Sequence, residues 1–178
     1  KEKIVDTSEG EYRAQAVVIA GGSEHSKLGV NGEEEFLGKG VSYCAMCDGA
    51  FFRDEVVAVV GGGNVALNDA IFLTRFASKV IVIHRRDQLR ATKILQDKAF
   101  NQPKIEFIWD TVVDSIAGDK QVRELTLRSV KTGEKSSLNV SGVFLAVGLR
   151  PNTGYLKGLL TLNEVGFISV NDQMETEV

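Results

Sequence analysis

Cys44 and Cys47 stand three positions apart, and Asp48 follows at once. Cysteines in C-x-x-C spacing at a helix start can close a small disulfide ring, and such a location lowers a thiol pKa so that thiolate forms near neutral pH. Asp48 is well placed to pass a proton to or from a sulfur or its leaving partner. Ser42 is expected to cap that helix. Two other chemistries remain open for the pair. A zinc half-site would need two more ligands, for which the chain offers His25 and His84; alternatively both thiols are small buried hydrophobes.

A second stretch reads as strand, glycine turn and helix. Val56-Val57-Ala58-Val59-Val60 suits a strand covered on both faces. Gly61-Gly62-Gly63-Asn64-Val65-Ala66 follows in G-x-G-x-x-A spacing, and from Ala66 the apolar residues Ala70, Leu73 and Ala77 fall on one helical face. Gly61 permits a tight bend, Gly63 lets backbone approach a pyrophosphate, and Ala66 keeps the helix close to the sheet. Free N–H groups and the positive helix end would face the phosphates. A strand over 79–84 at βαβ distance strengthens the reading beyond an ordinary tight turn.

The end of that next strand bears on which dinucleotide is held. An NAD site usually carries an acidic residue there, about 20 residues past the glycines. This chain has His84-Arg85-Arg86-Asp87, with Arg90 one turn on. Arginine forks match a phosphate in bidentate fashion, so NADP is favoured. The competing reading is a solvated basic strand end.

The positioning elements follow from periodicity. Lys104–Trp109 reads as a further parallel strand, preceded by a helix with the stripe Ala91, Ile94, Leu95, Ala99. Short strands over 111–116, 122–130 and 137–140 form a three-stranded β-meander that covers one face of the sheet. Val143–Gly148 returns as a buried strand whose end, Val147 and Gly148, lies at the carboxyl edge where ligands bind. The fold class is thus α/β, a Rossmann-like domain with a central parallel sheet, helices on one face and the meander on the other. Residues 4–22 read as a hairpin whose second arm, Tyr12–Ala20, ends as a buried strand; 23–40 reads as a connector. Residues 166–170 form a strand expected to pair with that hairpin. The organisation expected is 1–38 and 149–178 as parts of one flanking domain, with 39–148 inserted.

Composition narrows the classes. With 178 residues, 43% hydrophobic and 25% charged, the chain is ordinary for one globular domain plus pieces of another. A net charge of -3 argues against nucleic acid as the main partner. No apolar run reaches the roughly 18 residues of a membrane span and no signal peptide is visible, so a soluble cytoplasmic protein is expected. The chain starts at Lys1 without methionine and stops at Val178, and reads as a piece of something longer.

Taken together, Cys44-Ala45-Met46-Cys47-Asp48-Gly49, Gly61-Gly62-Gly63-Asn64, His84-Arg85-Arg86-Asp87 with Arg90, and Ala146-Val147-Gly148 with Pro151-Asn152-Thr153 resemble low-molecular-weight thioredoxin reductases, in order and at fitting distances. The resemblance implies an NADPH domain inserted into an FAD domain, and electrons passing from NADPH through FAD to a disulfide and on to thioredoxin. It makes Cys44 and Cys47 the redox pair and Asp48 the proton donor and acceptor. It gives the 2′-phosphate to Arg85, Arg86 and Arg90, with Gly61, Gly62, Gly63, Asn64, Val65, His84, Val147 and Gly148 around the nucleotide. The whole protein would be a homodimer. Val65, Asn68 and Asp69 depart from the family pattern, as does Ala20-Gly21-Gly22. The family's N-terminal flavin glycine motif and C-terminal Gly-Asp segment are not in this sequence, so the isolated piece is expected to hold FAD weakly and to be inactive. Alternatives are a flavin-independent NADPH-binding redox sensor and a reductase of a peroxiredoxin system.

Overall fold

In the computed structural model, which describes residues 2–178, the apolar runs become a parallel sheet because two different layers cover its faces. In chain order the elements are β1 (Lys3–Thr7), β2 (Gly10–Ala14), β3 (Ser23–His25), β4 (Val41–Ser42), α1 (Ala45–Asp48), β5 (Val56–Val60), α2 (Asn64–Leu73), β6 (Lys79–Ile83), α3 (Lys93–Phe100), β7 (Ile105–Ile108), β8 (Thr111–Gly118), β9 (Val122–Ser129), β10 (Lys135–Asn139), β11 (Gly142–Leu145) and β12 (Leu149–Pro151). They fall into two units: His25–Gly148, and the residues up to Glu24 together with Leu149–Val178.

In the larger unit the strand order is β4-β11-β5-β6-β7, all parallel. Side chains alternate along each strand, so each strand feeds two cores. Val57, Val59, Val80, Val82 and Phe144 join Ala66, Leu67, Ala70 and Leu73 of α2. Ala58, Val60, Ile81, Ile83, Val143 and Leu145 instead meet Val113, Leu125 and Leu127 of the antiparallel β8-β9-β10 meander. Val57, Val59, Val80 and Val82 are each fully buried. At about 1.5–3 kcal/mol apiece they contribute on the order of the whole net stability of a domain, so the helix layer that covers them is not dispensable.

Four expectations change. Residues 23–40 are not a connector: Phe36 is 4% exposed, Leu28 and Val30 pack against the meander-side core, and Val41 N–H donates to the Phe36 carbonyl. That packing is why the larger unit begins at His25 rather than at residue 39. Tyr12–Ala20 does not continue as a buried strand; β2 stops at Ala14, and Val18 is 90% exposed, because no strand among the described residues pairs with it. Residues 166–170 form no strand with the hairpin, and Ile168 makes an isolated bridge with Leu162. On α3, Ile94 faces solvent and Ala91 precedes the first turn.

In the smaller unit β1 and β2 form an antiparallel hairpin. Asn152 ties the glycine end of the 15–22 segment, its N–H donating to the Gly22 carbonyl at 3.0 Å and its amide to Gly21 at 3.1 Å. No helix among the described residues is long and apolar enough to cross a membrane.

Candidate functional site

The glycine turn after β5 is shaped by what each missing Cβ would meet. Gly61 adopts φ +153°, its N–H donates to the Ile83 carbonyl at 3.1 Å, and a Cβ there would run into the Ala146 carbonyl and Ala66. That geometry demands glycine. At Gly62 a Cβ would overlap the His84 ring, and its carbonyl accepts from Arg90 N at 2.7 Å and Ala91 N at 3.1 Å. The middle glycine is therefore as constrained as the first, which the spacing rule alone does not reveal. Gly63, the residue before α2, has open space where its Cβ would lie. The first N–H groups of a helix have no partner within it, so this opening admits an anion to them. Asn64 Oδ1 accepts from Thr92 N at 2.8 Å, which ties the helix start to the 84–92 loop.

That loop carries the basic residues. His84 is 5% exposed, and its Nε2 lies 3.0 Å from the Gln88 carbonyl, so the proton sits on that nitrogen. Burial lowers its pKa; the Gln88 bond opposes this, and the charges of Arg90, Arg85 and Arg86 add to the lowering. Arg85, Arg86 and Arg90 are exposed, and none is in an ion pair among the described residues. A cleft of about 480 Å³ opens at the carboxyl edge of the sheet, lined by Gly61, Gly62, His84, Arg85, Arg90 and Val147. Gly63, Asn64, Val65, Arg86 and Gly148 are not among its lining residues. A wall that sequence reasoning missed is the 26–30 segment, pinned by Ser26 N to the Gly148 carbonyl at 3.0 Å.

A buried carboxylate holds that wall. Glu33, 2% exposed, accepts from Leu28 N at 3.0 Å, Gly29 N at 2.7 Å and the Tyr43 hydroxyl at 2.7 Å. Burial pushes its pKa up, but the bonds from Tyr43 and the backbone prevail and hold it below the usual value. The Tyr43 hydroxyl is raised in turn by burial and by the Glu33 carboxylate. His25 stacks on Tyr43 at 5.0 Å. In sequence Glu33 stands among Glu34 and Glu35 and resembles a solvated run; its spacing from Val30 and Phe36, three either side, is the one hint that it faces inward.

Cys44 and Cys47 are joined by a disulfide, with Cα atoms 5.3 Å apart. This excludes the zinc half-site and the two separate thiols for the protein in this state. Ser42 does not cap α1. Cys44 is the N-cap, its sulfur accepting from Cys47 N at 3.2 Å. Ser42 Oγ accepts from Cys44 N at 3.0 Å and donates to Asp48 Oδ2 at 2.6 Å. The disulfide does not line the cleft. Sequence order places the cysteine pair and the glycine turn within about 20 residues of each other, and the fold keeps them as two clusters of one unit.

A model of the pyridine nucleotide-disulphide oxidoreductase family matches residues 1–178. The chain belongs to that family. Within it, the resemblance read from the motifs holds along nearly the whole length. The chain is 48% identical over 168 residues to a thioredoxin reductase of Streptomyces coelicolor, covering 94% of this chain and 52% of that protein. With a Bacillus subtilis thioredoxin reductase it shares 48% over 177 residues, or 99% and 56% of the two chains. The crystal structure of Lactococcus lactis thioredoxin reductase matches with a TM-score of 0.89 at 43% identity, over 99% of this chain and 59% of that one. This pyridine nucleotide-disulphide oxidoreductase chain thus spans about half the length of the relatives it matches.

Proposed function

We propose that the chain is the NADPH-binding, disulfide-bearing part of a thioredoxin reductase, acting in the whole homodimeric protein with FAD and thioredoxin. The observation that carries the reading is one unit holding both a closed Cys44–Cys47 disulfide and a cleft of Gly61, Gly62, Arg85 and Arg90 at the carboxyl edge of a parallel sheet. The unit His25–Gly148 is then the nucleotide part, and the residues up to Glu24 with Leu149–Val178 belong to the flavin part.

The residues fit the nucleotide. The opening at Gly63 leaves the start of α2 accessible to a pyrophosphate, with Asn64, Val65, Val147 and Gly148 beside it. Arg85, Arg86 and Arg90, free of ion pairs among the described residues, take the 2′-phosphate. His84, packed under Gly62, fixes the loop that presents them. Bound NADPH supplies a hydride, that is two electrons and a proton. FAD is the carrier the resemblance implies between nicotinamide and disulfide. Reduction of the disulfide breaks the Cys44–Cys47 bond with two electrons and takes up two protons from solvent; the Asp48 carboxylate relays one of these to a sulfur.

Calorimetry with NADP⁺ and NAD⁺ tests the cleft. NADP⁺ is expected to bind tighter by about 1–3 kcal/mol, a factor of roughly 5–150, and the advantage to vanish in the Arg85→Ala/Arg86→Ala variant. Equal affinities for the unaltered chain would refute the arginine assignment. Iodoacetamide should label the cysteines after treatment with dithiothreitol and not before it.

A further inference from the structure

Asp48 has a proton to move in the reading above, yet its hydrogen-bond partner is Ser42 and not a sulfur. Ser42 is 4% exposed, so its hydroxyl has little water to turn to. A serine hydroxyl has one hydrogen to donate. Two acceptors lie near it, the Cys44 carbonyl at 3.4 Å and Asp48 Oδ2 at 2.6 Å, and the shorter, charge-assisted contact takes the proton. The same oxygen accepts from Cys44 N at 3.0 Å. One atom therefore joins the backbone of the first cysteine to the carboxylate that follows the second.

We infer that Ser42 is a positioning residue for Asp48: it restrains the carboxylate beside the C-x-x-C turn and sets how strongly that charge is felt by the sulfurs. This rests on the role given to Asp48 in the proposed function. Other titratable groups near α1 are few. The 3-10 turn Gly49–Phe52 carries none, α2, which packs against α1, carries Asp69, and Tyr43 adjoins Cys44 with its hydroxyl engaged by Glu33. The β11 strand beside β4 has no ionisable side chain.

The test reads the thiols of the reduced chain, with no flavin or thioredoxin required. Cys47, the more exposed of the two, is alkylated with iodoacetamide after reduction by dithiothreitol, whose two thiols supply the two electrons and two protons, and the rate is followed against pH. Without the Ser42 hydroxyl the carboxylate is released toward the sulfurs, and a like charge disfavours thiolate. Ser42→Ala should move the inflection up by about half a pH unit or more, and Ser42→Thr should return it. In an Asp48→Asn background Ser42→Ala should produce no further shift. An unmoved inflection in Ser42→Ala overturns the proposal, and so does an equal shift in both backgrounds, which would place the effect on the Cys44 N–H or on general packing. If Asp48→Asn alone leaves the profile in place, the proton role of Asp48 itself fails, and the positioning role with it.

Discussion

Val17-Val18-Ile19-Ala20-Gly21-Gly22 and Val57-Ala58-Val59-Val60-Gly61-Gly62 are nearly the same phrase, yet the molecule treats them oppositely. Val18 is 90% exposed in a segment without strand pairing, whereas Val57 and Val59 are fully buried between β6 and β11. The glycines differ in the same way. A Cβ at Gly22 would meet nothing within 4 Å, and one at the matching Gly62 would overlap the His84 ring. A run of β-branched residues advertises willingness to pair, and the neighbours decide whether it does.

The comparison can be broken most directly with charge. Val59→Asp should cost more than about 4 kcal/mol, because an unpaired carboxylate enters a dry core, while Val18→Asp should stay within about 0.5 kcal/mol; urea denaturation of the two variants checks this. Similar losses would mean that the 17–20 segment is covered in solution. Next are the glycines. Gly61→Ala combines a clash with backbone and an unfavourable φ, and should cost roughly 3 kcal/mol, with dinucleotide affinity lost alongside; Gly22→Ala, at φ +66° in open space, should cost about 1 kcal/mol.

Smaller effects sharpen the picture of what covers the buried run. Lys104 Nζ donates to the Thr74 carbonyl at 2.9 Å and the Ala77 carbonyl at 2.8 Å, closing the C-terminal end of α2. Lys104→Met should lower stability by about 1–2 kcal/mol without changing NADP⁺ affinity, measured by melting and calorimetry. Asp69, half-buried on α2, has its pKa raised by burial from 3.8 to about 6. In the pH window between those values the folded state holds more protons than the unfolded one, so stability falls as pH rises through it. Asp69→Asn should flatten that slope between pH 4 and 6 and leave the variant the more stable of the two at pH 7, as chemical denaturation at both pH values would show.

Much of the larger unit was legible. Five-residue valine runs with glycine ends, a change of period at Ala66, and turns at Gly118 and Gly133 are local signals, and they sufficed for the parallel sheet, its helix layer and its meander. The cleft was legible where short motifs describe it, at Gly61, His84 and Arg85. Gly62 was among the residues the resemblance implied, but its constraint by the His84 ring 22 residues on was not legible, nor was Glu33, whose partners Leu28, Gly29 and Tyr43 come together through a turn with no strong periodicity. Ser42 was read as a cap because local rules see a hydroxyl before a helix, and cannot see that Asp48 returns to meet it.

Residue order by itself determined the kinds of groups available: a cysteine pair, a glycine turn ahead of a helix and a cluster of guanidinium groups, each written within a few consecutive positions. Tertiary structure decided which valine runs become core, which carboxylate is buried, and that disulfide and cleft form separate clusters of one unit. The division has a physical cause. Turn geometry and side-chain chemistry are set by near neighbours along the chain, whereas burial and hydrogen-bond partnership depend on groups that meet only after distant segments have packed.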